Sequence, residues 1–225
     1  MSFEADNGHN PDQARPEPQG MFGVAYRLAG IIEYIARHDP QTGMLNKGAV
    51  KYEGQERINA GQPFGVLMLD WDAFKRINDT LGHEVADRMI EQFGPYMEQH
   101  FRREGEVFAH ERKIREPESD QKPDYLFGRY GGDEFLGLVN LADRNPKRPD
   151  GLTVEERMAK AEGYARDVLA GFVAEQDPAV RALHYDISVG SQIWVPGGPQ
   201  DFSEVIHGAD LSLREDKAAR GANVR

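Results

Sequence analysis

The chain has 225 residues and carries 27 Lys and Arg against 38 Asp and Glu, a formal net charge of −11, with a sequence pI near 5.1 and a mean hydropathy of −0.66. Its longest apolar runs, such as Val66-Leu67-Met68-Leu69, fall far short of the roughly 20 residues a membrane-spanning helix needs, and the acidic, proline-containing start lacks the basic and apolar regions of a secretory signal. The absence of cysteine excludes a disulfide framework, a thiolate metal site and a Cys nucleophile. Acidity without a basic stripe argues against nucleic acid as a partner. These features predict one domain with a tail, no membrane partner and a cytoplasmic location.

In chain order, residues 1–20 read as a flexible leader without apolar period. Val24, Leu28, Ile31, Ile32 and Ile35 recur at helical spacing, so residues 21–38 form an N-terminal helix, stopped by Pro40. A turn at 39–43 leads to a second helix over Lys47–Asn59. Phe64 to Leu69 is a short apolar run bounded by turn residues and Asp70, the pattern of a buried central strand. A helix follows from about Glu84 to Phe101. Tyr125 to Tyr130 and Phe135 to Leu141 flank Gly131-Gly132-Asp133-Glu134, which is hairpin grammar. Thr153-Val154-Glu155-Glu156 is a capping box that opens a helix to about Ala174. A strand over Tyr185–Val195 and a last helix from about Asp201 to Arg220 complete the series. The order is that of the ferredoxin-like split βαβ unit, so the fold class is α+β with a central antiparallel sheet surrounded by helices. Two extended loops, 102–124 and 143–152, exceed what a compact domain needs for connection.

The chemistry concentrates in two segments. In Leu69-Asp70-Trp71-Asp72-Ala73-Phe74-Lys75, two carboxylates two residues apart share a face if the strand persists through them. In Arg129-Tyr130-Gly131-Gly132-Asp133-Glu134-Phe135, paired glycines permit a tight turn and close approach of a ligand, and two acids follow at once. Taken singly, a Gly-Gly-Asp turn is an ordinary hairpin and an Asp-x-Asp at a strand end is often merely solvated. Together, and with the strands paired as in the split unit, Asp70 and Asp133 converge at one end of the sheet. Crowded carboxylates repel one another unless a cation neutralises them, and oxygen ligands without Cys or clustered His select Mg²⁺ or Mn²⁺. A metal-dependent nucleotide site is the expectation.

The chain resembles the GGDEF domain, the catalytic domain of diguanylate cyclases. The resemblance rests on DPQTGMLN at 39–46, LDWDAFKRINDTLGHEVAD at 69–87, RYGGDEF at 129–135, SVG at 188–190 and the Ala209-Asp210, Asp216-Lys217, Gly221 and Asn223 series. It assigns residues 39–225 to this domain and makes the 21–38 helix a possible dimerising stalk, besides an ordinary packing helix. It implies a nucleotidyl-cyclase-like sheet and an enzyme that condenses two GTP into cyclic di-GMP with Mg²⁺ or Mn²⁺. By residue, it implies metal binding at Asp70, at the Trp71 carbonyl and at Asp133, with Glu134 as a catalytic neighbour. Asn78 and Asp87 match the guanine readers, Gly131 and Gly132 the bend over the nucleotide, and Lys75 and Lys217 the phosphate-neutralising cations. Phe74 and His83 fall in the same motif and join the substrate-binding set, a structural role for His83 being equally open. One domain holds one half-site, so a homodimer is implied, and regulation would come from dimerisation, from the 102–122 loop or from a separate sensor protein.

The departures from the family pattern are specific. The Arg-x-x-Asp product-inhibition motif is absent, Lys122-Pro123-Asp124-Tyr125 standing there instead. Ala86 replaces a glycine, Arg214 a tyrosine, Asp216 an alanine and Ala222 an arginine, and one extra residue precedes Gly221. Arg220 is the substitute expected for the lost phosphate contact. Two alternatives to an active cyclase follow: a GTP-binding signalling module without turnover, and a metal-dependent cyclase with another product.

Overall fold

The computed structural model describes residues 20–101, 125–142 and 151–221. Residues 1–19 of the leader, the Arg-x-x-Asp replacement at 122–124, the whole of the 102–124 loop, most of the 143–152 loop, Ala222 and Asn223 lie outside the described residues. Helix α1 (Gly20–Arg37) is followed by α2 (Lys47–Asn59), strand β1 (Phe64–Asp72), α3 (Phe74–Leu81) and α4 (His83–Phe101). After the first gap come β2 (Tyr125–Gly131) and β3 (Glu134–Asn140); after the second, α5 (Val154–Glu175), α6 (Pro178–Arg181), β4 (Asp186–Trp194) and α7 (Phe202–Arg220).

The four strands form one sheet in the order β2-β3-β1-β4, every neighbouring pair antiparallel. β1 and β2 run parallel with β3 between them, which is the split βαβ arrangement expected from the sequence. Alternation along the strands divides the core by face. Leu67, Leu69, Trp71, Phe135, Val139, Ile187 and Val189 pack with α4 and α5, whereas Phe64, Val66, Met68, Leu136, Leu138 and Trp194 pack with α2 and α7. Trp71 centres the first cluster, fully buried with its ring 5.1 Å from Phe93 and 5.7 Å from Phe135.

Three details differ from the sequence expectation. β1 continues past Leu69 to Asp72, because Trp71 and Asp72 pair with Ile187 and Asp186 of β4; the two carboxylates therefore do share one face. The segment between β1 and α4 contains a helix of its own, α3, which begins at Ala73 in the left-handed conformation (φ 61) without a side-chain cap. A further single turn, α6, is capped by Asp177 and begins with Pro178. The capping box holds as read: Thr153 Oγ1 accepts from Glu156 N at 3.1 Å, and Thr153 N donates back to Glu156 Oε2 at 2.8 Å.

Candidate functional site

The site grows from the exit of β1. Asp70 lies opposite Glu134 across β3 and opposite Ser188 across β4. Asp133 is the last residue of the turn that precedes Glu134, and Gly132 in that turn has φ 44, a conformation that favours glycine. The turn is held from outside by Arg129, whose Nε donates to the Gly132 carbonyl at 3.0 Å. Asp70, Asp133 and Glu134 are thus brought to one end of the sheet, as the sequence leads one to expect.

α7 supplies the cation. Its start is fixed by Asp201 Oδ1, which accepts from Ser203 N at 2.7 Å. Its middle presses on β4 so closely that a Cβ on Gly190 would stand 2.3 Å from the Ala209 carbonyl oxygen and the Leu213 nitrogen. Lys217 consequently ion-pairs with Asp70 and lies 3.8 Å from Asp72 Oδ1. Ser188 Oγ donates to Asp72 Oδ2 at 2.7 Å. Asp216 closes the edge of β4, accepting from Val189 N at 3.0 Å and pairing with Arg166 at 3.1 Å.

The electrostatics reflect the crowding. Burial foremost, then the charges of Asp70, Asp133 and Asp210, hold the Glu134 carboxyl above its ordinary range, against a smaller opposing effect of Lys47. Asp72 is likewise raised by burial, an effect that the Ser188 hydrogen bond and Lys217 offset in part. Among the described residues, no three His, Asp or Glu side chains form a ready-made metal cage. Mg²⁺ does not need one, because it is commonly held by one or two carboxylates with water and substrate phosphates completing an octahedron. A set of hard oxygen donors around a crowded, charge-penalised carboxylate fits such an ion.

A second group lies at the start of α4. The Asn78 Oδ1 and His83 Nδ1 atoms are 2.8 Å apart, and Asp87, exposed on α4, accepts from Gln41 Nε2 at 3.2 Å. Phe74 packs its ring edge-on against Trp71 at 5.4 Å, joining the core periphery. Lys75 is exposed on the first turn of α3. Arg220 is directed elsewhere than the sequence suggests, pairing with Asp186 at 2.8 Å and with Asp216 at 3.2 Å; both partners are acidic and near, so the guanidinium is occupied within the chain. Sequence reasoning passed over Lys47, whose ammonium sits 4.2 Å from the Tyr130 ring centroid, together with Asp210, Gln41 and the Asp39–Arg129 pair at 3.3 Å. Lys47 follows directly on the 39–46 motif and the others lie within the motifs named above, but the role of each is set by contacts distant in sequence.

The fold and this end of the sheet define an α+β domain of the ferredoxin-like type with an acidic, glycine-turned site. Residues 36–111 match the family described as the diguanylate cyclase GGDEF domain. Diguanylate cyclase DosC of Escherichia coli (strain K12) is 28% identical over 206 residues, covering 87% of this chain and 37% of that protein. Uncharacterized protein Rv1354c of Mycobacterium tuberculosis (strain ATCC 25618 / H37Rv) is 30% identical over 196 residues, 86% of this chain and 26% of that one. The chain thus spans about a third or less of the length of these relatives. Among solved structures, diguanylate cyclase SiaD in complex with its activator SiaC from Pseudomonas aeruginosa shares the fold with a TM-score of 0.60 and 22% identity, over 87% of this chain and 64% of that one. Among the described residues, no helix is long and apolar enough to cross a membrane.

Proposed function

We propose that this chain is a diguanylate cyclase domain that condenses two GTP into cyclic di-GMP and pyrophosphate. The observation that carries the proposal is the strand register that sets Asp70 opposite Glu134 and beside the Gly132-Asp133 turn, with Lys217 reaching the same carboxylate from α7. Asp70, Asp133 and the Trp71 carbonyl would hold Mg²⁺ or Mn²⁺, which, when bound, supplies charge neutralisation to the α-phosphate and the departing pyrophosphate. Lys217 and Lys75 add positive charge toward the phosphates. Asn78 and Asp87 read the base: a carboxylate accepts from both N1–H and the exocyclic amine of guanine, a donor pair adenine lacks. The 3′-hydroxyl oxygen of one GTP bonds to the α-phosphorus of the other as its proton is lost to solvent and the bond from that α-phosphorus to pyrophosphate breaks, and the reciprocal displacement closes the ring and releases the second pyrophosphate.

Each domain holds one nucleotide, so two copies must face each other across a two-fold axis. On this reading the reaction belongs in the cytoplasm, with regulation from dimerisation, from the 102–122 loop or from a separate sensor protein. DosC is named a diguanylate cyclase, in line with this function. A second function, GTP binding without turnover, is favoured by one observation: Arg220, the expected phosphate contact, is tied to Asp186 and Asp216. Incubation of purified protein with GTP and Mg²⁺ or Mn²⁺, followed by chromatography, separates the two. Cyclic di-GMP from the wild type and none from Asp133→Ala supports the cyclase, whereas GTP binding with no product at high protein concentration replaces it with the binding module.

A further inference from the structure

We infer that Gln41 is a positioning residue for base recognition, orienting the Asp87 carboxylate and joining it through Arg129 to the glycine turn. The inference rests on the guanine-reading role proposed for Asp87.

The loop that carries Gln41 is rigidly built. Asp39 Oδ1 accepts from both Thr42 N and Thr42 Oγ1 at 2.9 Å, and Asp39 N donates to the Met44 carbonyl at 2.8 Å. Thr42 is buried. α4, which bears Asp87, is seated directly on this loop: a Cβ on Gly94 would stand 1.8 Å from the Thr42 carbonyl oxygen. Gln41 is therefore fixed between α4 and the β2 end that leads into the glycine turn.

Its amide has only one consistent orientation. Arg129 can only donate, and its Nη1 lies 2.6 Å from Gln41 Oε1. An ionised Asp87 can only accept, and its Oδ1 lies 3.2 Å from Gln41 Nε2. The guanidinium thus orders the amide, and the amide presents its N–H₂ to the carboxylate. A neutral side chain with both a donor and an acceptor is what bridges a cation and an anion in this way. Glu at 41 would repel Asp87, Lys would repel Arg129, and an apolar residue would leave both partners unbridged. A carboxylate has about four lone-pair sites, so the Gln41 bond leaves Asp87 room for both guanine donors while restricting its rotation. Arg129 also donates to the Gly132 carbonyl, so the link extends from the base-reading side chain to the turn that carries Asp133.

The test uses the full chain as wild type, Gln41→Met and the near-isosteric Gln41→Glu. KM and kcat are measured with Mg²⁺ for GTP and for ITP, whose base lacks the exocyclic amine, and GTP affinity is measured separately by calorimetry. A hydrogen bond to a charged group predicts that both variants lose roughly tenfold in the preference for GTP over ITP. The loss should appear in KM, with kcat nearly unchanged and thermal unfolding like that of the wild type. A merely structural role would lower kcat for both nucleotides equally. A wild-type GTP/ITP preference in either folded variant overturns the inference. Failure of the wild type itself to bind GTP, or to distinguish it from ITP, strikes instead at the guanine site assigned to Asp87, and is seen before any variant is made.

Discussion

Tyr185 shows how one residue records the strain of the site. Its hydroxyl and the Trp71 indole nitrogen are buried without a hydrogen-bond partner among the described residues, and their rings are 5.6 Å apart. Burial, followed by the charges of Asp186, Asp72 and Asp133, pushes the phenol well above its ordinary value of 10.0. A group whose pKa is higher folded than unfolded contributes stability that is complete below the unfolded pKa and declines as pH rises through the folded one. The wild type should therefore lose stability progressively above pH ~10, and Tyr185→Phe should lose less. At neutral pH the same substitution removes an unpartnered buried polar atom, so it should leave stability unchanged or raise it by about 1 kcal/mol. Denaturant titrations at pH 7 and above pH 10 decide this, and a clear loss at neutral pH would reveal a hidden partner of the hydroxyl. Lys217 is the opposite case, a cation between two acids. Lys217→Met should lower the melting temperature of the metal-free protein, because burial first and then the Asp70 charge raise the Asp72 carboxyl and no ammonium would then offset them. Under the proposed chemistry it should also lower kcat by about 10²-fold or more, the usual cost of removing a charge-stabilising group. Retained turnover would remove Lys217 from the machinery.

The elements were legible to the degree that their signals are local. Thr153 is followed by the Glu156 that its capping box requires, and α2 and α5 begin where the sequence places them. α3 escaped notice because it begins at a left-handed Ala73 with no capping side chain and ends after eight residues at Gly82. β1 was read short because Asp70 and Asp72 look like the end of a strand, whereas pairing with Ser188 and Asp186 carries the ladder through them. Of the site, the acids and the glycine turn could be read in advance, since they need only the split-unit order. The occupation of Arg220 by Asp186 could not, because that partner is 34 residues away. Two substitutions test the elements. Thr153→Ala, which opens the capping box, should cost about 1 kcal/mol in a denaturant titration. Gly190→Ala inserts a methyl group into α7 backbone and should cost about 1–3 kcal/mol. It should also weaken turnover out of proportion to Thr153→Ala, since the helix it displaces is the one that delivers Lys217 to Asp70.

At the scale of the whole molecule, α1 stands apart from the two core clusters. Val24, Leu28, Ile31 and Ile35 on it are all exposed, Ile35 by 69%, and they are spaced four, three and four residues apart. Such spacing is the seam of a coiled coil, and a seam left in water by one copy is satisfied by the same seam of a second copy. The proposed reaction also requires two copies, because one domain supplies one GTP and the attacking hydroxyl must come from another. A homodimer along α1 would meet both needs at once. Replacing Ile31 and Ile35 together with Asp puts like charges at the seam without touching β1, α7 or the glycine turn. The double variant should elute as a monomer in size-exclusion chromatography with light scattering, where the wild type should elute as a dimer. It should also retain GTP affinity and the wild-type melting of the globular part, yet lose most of its cyclic di-GMP synthesis at low protein concentration, with partial recovery as concentration rises and the catalytic faces meet by mass action. A double variant that stays dimeric would place the contact elsewhere, and a monomer with full activity at low concentration would contradict the two-copy mechanism itself.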